Sequence, residues 1–170
     1  MRDNGRVDAG ESNAGESDTG ESNPSDPAQQ SWYDAFGGSA FFARLVSSFY
    51  GYVAQDPILR PMYPEGDLAP AERRLRMFLE QYWGGPTTYN DERGHPRLRM
   101  RHAAFPIDTQ ARDRWLLLMA HAVHEQGLEQ RLEDELWTYL VGAAFAMQNI
   151  DDQDSPASAL PLIEPPTARS

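Results

Sequence analysis

The segment Gly94-His95-Pro96-Arg97-Leu98-Arg99-Met100-Arg101-His102-Ala103-Ala104-Phe105 decides how the chain is read. Together with Arg93 it places four arginines (Arg93, Arg97, Arg99, Arg101) within nine residues and ends the run on His102. The whole chain carries a net charge of −11, so a local cation cluster is out of character with its surroundings. Cations beside a histidine suit a ligand that carries both anionic groups and a metal. A solvated basic loop, or a histidine satisfied in the core, is the plainer reading of the same residues.

Outward from this segment the pattern is helical on both sides. Upstream, Gly84-Gly85-Pro86 stops a helix in which Ala71, Leu75, Phe78, Leu79 and Tyr82 form one stripe. Asp67 is its expected N-cap, with Pro70 in the first turn, where a missing N–H costs little. A loop is expected from Pro86 to about Asp91. Further upstream, Phe42, Leu45, Val46, Phe49 and Val53 share a face of a helix that Ser39 is expected to cap. Asp56-Pro57 ends that helix and Pro64 closes the short apolar piece that follows. Trp32, Tyr33 and Phe36 fit a single turn before Gly37-Gly38.

Downstream, Asp108 is placed to cap a helix whose buried face is Ala111, Trp115, Leu118, Met119, Ala122 and Val123, with Gly127 at its end. A last helix from about Glu129 to Gln148 points Leu132, Leu136, Leu140, Ala143 and Met147 inward. Strand-like alternation is found nowhere. The expected class is all-α.

Composition bounds the function. The 170 residues suffice for one well-buried domain. Residues 1–30 hold seven acids and two arginines, repeat Gly-Glu-Ser from Gly10, Gly15 and Gly20, and contain almost nothing apolar. They read as a disordered acidic tail, residues 31–149 as the domain, and residues 150–170 as a second acidic, Pro-rich tail. With −5 and −3 on the two tails, the domain itself keeps −3, which argues against nucleic acid as a partner. No cysteine is present, so disulfides, thiolate ligands and the thioether attachment of c-type haem are excluded. No apolar run reaches the roughly 18–20 residues of a membrane span. The acidic N-terminus does not read as a signal peptide, and a cytoplasmic protein is expected.

On the inward faces, Tyr50, Tyr63, the indole of Trp115 and His102 are the polar exceptions. Buried tyrosine and tryptophan need partners, and together with a histidine they suggest one partly polar cavity. Singly, each also fits an ordinary core.

These residues carry a resemblance. Tyr33-Asp34-Ala35-Phe36-Gly37-Gly38, Phe49-Tyr50, Met62-Tyr63-Pro64, the run Glu72–Pro86, the string Arg93–His102 and Trp115 resemble the group II truncated haemoglobins over essentially all of the domain from Trp32 to Gln148. The resemblance implies a two-over-two helical sandwich, a shortened globin fold, around non-covalent haem b. It implies His102 as the proximal iron ligand; His95, His121 and His124 do not match that position. Tyr50, Tyr63 and Trp115 match the distal residues around iron-bound O₂, and Ala71 stands where many globins carry a distal His or Gln. Leu75, Phe78 and Leu79 match apolar haem contacts, with Arg74 and Arg101 as partners for the propionates. The implied ligands are O₂, CO and NO at ferrous iron. Nitric oxide dioxygenase or peroxidase-like chemistry would need an external reductase. A gas or redox sensor acting through a protein partner, a homodimer, and a cofactor-free helical interaction module stay open on the sequence.

Overall fold

The computed structural model describes residues 31–64 and 66–151. The two acidic tails expected at 1–30 and 150–170 lie outside these residues, except for Ile150 and Asp151. In chain order come α1 (Trp32–Phe36), α2 (Gly38–Val53), a 3-10 turn (Arg60–Met62), α3 (Ala69–Tyr82), α4 (Thr88–Arg93), α5 (Leu98–His102), α6 (Thr109–His124) and α7 (Gln130–Met147). Among the described residues there is no strand. The packing forms two helix pairs, α2 with α3 and α6 with α7, joined where α2 crosses α6. The expected all-α class is what the chain adopts.

The core is built from α2 outward. Phe41, Phe42, Leu45, Val46, Phe49 and Val53 recur at helical spacing and are each 0–1% exposed. Removing a side chain of that size from water contributes about 1.5–3 kcal/mol, so this face alone fixes where α3 and α6 must lie. Met119, Leu136 and Leu140 close it from α6 and α7.

Turn chemistry sets the entry to α2, though not as the sequence suggested. Gly37, at φ 106°, ends α1 and begins α2, and Ser39 caps nothing. A glycine reaches that left-handed conformation freely, so the helix starts earlier than a serine cap would allow. The Ser39 hydroxyl instead donates to Glu80 Oε1 of α3 at 2.7 Å. α1 is pinned to the end of α3 by the Tyr33 N–H to the Trp83 carbonyl, 2.9 Å. Gly85 is required here by contact. A Cβ at that position would lie 2.6 Å from the Tyr33 ring and 2.8 Å from the Glu80 carbonyl oxygen.

Asp108 caps α6 as expected, accepting from the Ala111 N–H at 2.8 Å. Asp67 sits one residue before the N-cap of α3, Leu68, and accepts from the Ala69 N–H at 2.9 Å. In α7 the buried position is Ala144, with Ala143 only half-buried. The stretch expected as a loop after Pro86 winds into α4, and the basic segment itself into α5.

Candidate functional site

The basic segment is a five-residue helix with no buried residue, and polar contacts hold it in place. Arg97, at its N-cap, takes φ 41°, ψ 48°. The Arg101 guanidinium reaches back and donates from Nε to the Pro96 carbonyl at 2.8 Å and from one Nη to the Arg93 carbonyl at 2.7 Å. At the far end Asn149 donates through Nδ2 to the carbonyls of His102 (3.2 Å) and Phe105 (3.0 Å), and its Oδ1 accepts from the Ile107 N–H at 3.0 Å. One side chain just past α7 therefore latches both the end of α5 and the approach to α6.

This frame controls one ring. His102 Nδ1 lies 2.8 Å from the Leu98 carbonyl oxygen. A carbonyl only accepts, so Nδ1 carries the proton and donates, and the Nε2 lone pair is left for a metal. The half-buried ring is oriented by its own helix, the arrangement that fixes tautomer and aim in metal-binding histidines.

Tyr50, Tyr63 and Trp115 assemble around Phe49. The Tyr50 and Tyr63 rings meet edge-on with centroids 5.7 Å apart, and their hydroxyls share a hydrogen bond. Phe49 contacts Tyr50 at 5.1 Å and Trp115 at 5.3 Å. Burial pushes both phenols well above the ordinary tyrosine range, and for Tyr50 the charge of Tyr63 and their shared hydrogen bond add to it. Both stay neutral and able to donate at any physiological pH. Arg74 lies within electrostatic reach of both hydroxyls and favours negative charge there.

The apolar side of α3 is unevenly buried. Ala71 and Leu79 lie in the core, and Met77 is buried outside that cluster. Leu75 and Phe78 are only half-buried, and Tyr82, expected within the same buried stripe, is 51% exposed. Ala71, Leu75, Phe78 and Tyr82 follow at three and four residues along one side of the helix, where Phe78 meets Tyr89 of α4 at 5.6 Å and Tyr82 packs on Tyr139 of α7. Leu79, matched as a haem contact, is 1% exposed and belongs to the core side.

These residues fit a haem. Among the described residues no group of three or more His, Cys, Asp or Glu could hold a metal. A macrocycle would supply the other ligands of a metal at His102. A flat apolar ring suits the half-buried Leu75 and Phe78. Of the five N–H groups an arginine offers, Arg101 commits Nε and one Nη donor to carbonyls, and the rest remain for carboxylates.

Sequence reasoning missed three contributors. Asn149 sits where the periodic pattern stops, and nothing local marks it. Asp56, 3% exposed, accepts from the Ile58 and Leu59 N–H groups and from Arg114 Nε of α6, tying the end of α2 to the helix that carries Trp115. Glu125 accepts from both Ser48 and Tyr52, a second tie between α2 and the end of α6. Each is a pairing across 36 or more residues that no periodicity reveals.

The family model of the bacterial-like globins matches residues 31–149. The group 2 truncated haemoglobin YjbI of Bacillus subtilis is 39% identical over 126 residues, covering 74% of this chain and 94% of that one. The crystal structure of a thermostable haemoglobin from the actinobacterium Thermobifida fusca superposes with a TM-score of 0.71 at 58% identity, over 71% of this chain and 98% of the other. A truncated oxygen-avid haemoglobin from Bacillus subtilis superposes with a TM-score of 0.67 at 40% identity, over 71% of this chain and all of the other.

Proposed function

Because this chain belongs to the bacterial-like globin family, as a group II truncated haemoglobin, we propose that it binds haem b non-covalently through His102 Nε2 and takes O₂, CO and NO at the ferrous iron. Haem-based oxygen binding is the chemistry of the family. The observation that carries the reading for this chain is the His102 Nδ1 contact to the Leu98 carbonyl at 2.8 Å, which engages Nδ1 and leaves Nε2 as the ring nitrogen for the metal. The absence of cysteine excludes thioether attachment, which supports a non-covalent haem.

When bound, haem would supply an iron that takes diatomic ligands, for which hydrogen-bond donors stabilise a polar ligand such as O₂. The protein's own contribution is orientation and polarity. Leu75 and Phe78 exclude water from one face of the site. Arg74 and Arg101 pair the two carboxylates, a charge-assisted contact weakened by solvent at the rim. Tyr50, Tyr63 and Trp115 offer O–H and N–H donors to the ligand. Ala71 offers none, so the polar stabilisation rests on those three side chains. Turnover of nitric oxide or peroxide would draw electrons from an external reductase.

The test is an absorption spectrum of purified protein in ferric, ferrous and CO-bound forms. A Soret band in the wild type that is lost or displaced in His102→Ala, with helical circular dichroism retained, supports the reading. A normal five-coordinate ferrous spectrum in His102→Ala without added imidazole would show that another residue ligates the iron.

A further inference from the structure

The half-buried apolar line of α3 does not end at Phe78. It continues to Tyr82, whose ring centroid is 6.2 Å from that of Phe78. Tyr82 stacks on Tyr139 of α7 at 3.8 Å and 26°, the closest ring pair among the described residues. Trp83 meets both, at 5.2 Å from Tyr82 and 5.6 Å from Tyr139, and Trp32 lies 6.1 Å beyond Trp83. An unbroken line of aromatic rings thus runs from the face proposed for haem to solvent.

We propose that the Tyr82–Tyr139 pair is a surface oxidation site, at which one-electron donors of the phenol and hydroquinone class are oxidised at the expense of hydrogen peroxide reduced at the haem. The inference rests on the haem reading above. Hydrogen peroxide accepts two electrons and two protons and leaves as two waters. Each electron is drawn along the ring line from a phenol, which releases its O–H proton to solvent and becomes a neutral phenoxyl radical. A phenolic donor arriving at the exposed ring returns one hydrogen atom, restores the tyrosine and departs as its own radical.

The surroundings favour this pair over the other rings. Tyr82 is 51% exposed, so its proton passes directly to water. Tyr50 and Tyr63 are shut in with their hydroxyls on each other, where a released proton has no outlet. The indole N–H of Trp83 is buried without a partner, so Trp83 can neither pass on its proton nor hold a charge cheaply. Arg131 places its guanidinium 5.3 Å from the Trp32 ring, and a fixed cation opposes a second positive charge on that ring. The tryptophans are therefore poor holders of the charge, and the stacked phenols hold the oxidising equivalent.

The experiment is freeze-quench electron paramagnetic resonance of ferric holoprotein mixed with hydrogen peroxide. It compares wild type, Tyr82→Phe, Tyr139→Phe, the double variant, and Tyr52→Phe as an exposed phenol outside the ring line. Phenylalanine keeps the stacking and removes only the O–H. The expected result is a phenoxyl signal in wild type and Tyr52→Phe that is lost in the double variant. Peroxide-driven oxidation of a bulky water-soluble hydroquinone falls in parallel, while the CO-bound spectrum is unchanged. A phenoxyl signal undiminished in the double variant, or none in wild type, overturns the proposal while a normal Soret band leaves the haem reading intact. A wild type without a Soret band removes both.

Discussion

The α2 face and the α5 segment are held by opposite physics. α2 contributes seven buried residues, four of them aromatic, and its polar ties from Ser39, Ser48 and Tyr52 lie at the edges of that apolar face. α5 contributes no buried residue and is tethered by Arg101 at one end and Asn149 at the other. The first region is specified by area removed from water, which is non-directional and tolerant of small shifts. The second is specified by hydrogen bonds to carbonyls, which are weak singly but directional. A scaffold can rest on the first kind. Aiming one imidazole nitrogen calls for the second, and α5 is the segment that the apolar core neither covers nor stiffens.

The contrast breaks most visibly in the core. Phe42→Ala should destabilise the fold by about 3–5 kcal/mol, because the site cannot collapse around a lost ring. Met100→Ala, at a side chain 69% exposed on α5, should stay within about 0.5 kcal/mol. Urea denaturation followed by helical circular dichroism compares them; equal losses would mean that α5 is part of the core after all.

The same contrast explains what the sequence made legible. The α2 stripe, the stop at Gly84-Gly85 and the Asp108 cap could be read because periodicity and caps are local. α4 and α5 could not, since helices of six and five residues with at most one buried side chain leave no periodic trace. Tyr82 was misplaced because a stripe of apolar residues does not say how far along the helix the core extends. For the site, the residue types were legible at His102, Tyr50, Tyr63 and Trp115. Their partners were not: the Leu98 and Pro96 carbonyls and the Asn149 amide are found by chain geometry, not by residue type.

A polar tie can also matter to the core. Burial acts to raise the Asp56 carboxyl, but its hydrogen bonds from Leu59, Arg114 and Ile58 outweigh that and hold it below the usual carboxylate value. A depressed folded value means stability that is present above the unfolded value, near pH 4, and lost as pH falls through the folded one. Asp56→Asn should cost about 2–3 kcal/mol at neutral pH. It should also flatten the dependence of stability on pH below about 4. Thermal melts from pH 7 to 3 would detect this; parallel curves for variant and wild type would assign the acid sensitivity elsewhere.

Trp115 is rooted in the scaffold and is proposed as a donor to the ligand, so it should separate function from stability. Losing one donor to bound O₂ is worth about 1–3 kcal/mol, or roughly five- to a hundredfold in release rate. Trp115→Phe should accelerate O₂ release by that amount and change CO release much less, because CO accepts hydrogen bonds weakly. Tyr50→Phe should do less, with Tyr63 beside it as a second donor. Stopped-flow release in the Trp115→Phe, Tyr50→Phe double variant is decisive, since an unchanged O₂ rate would show that the cage does not act through hydrogen bonds.

Asn149 tests the directional region. Asn149→Ala removes bonds to two carbonyls and one N–H at the solvent edge, so global stability should fall by only about 1 kcal/mol. Haem retention should suffer more, because the end of α5 loses its latch. Haem transfer to an excess of apomyoglobin measures this, and transfer no faster than from wild type would mean that Leu98 alone sets the ring.

The smallest effect is expected at Arg97. An L-residue in the left-handed region costs about 1–2 kcal/mol, and Arg97 takes φ 41° to begin α5. Glycine would relieve that cost but would lose more backbone freedom on folding, about 0.5–1 kcal/mol. The net for Arg97→Gly is a gain below about 1 kcal/mol. The sign is informative because α5 has no core to compensate for a strained turn. If the variant is more stable and binds haem unchanged, the backbone conformation was a local cost with no return in ligation. If it is more stable yet loses haem faster, the stiffness that arginine lends the turn helps to aim His102. A variant less stable than wild type would show that the Arg97 side chain contributes more to the fold than its exposure suggests, and would weaken the distinction between a packed scaffold and a tethered ligand.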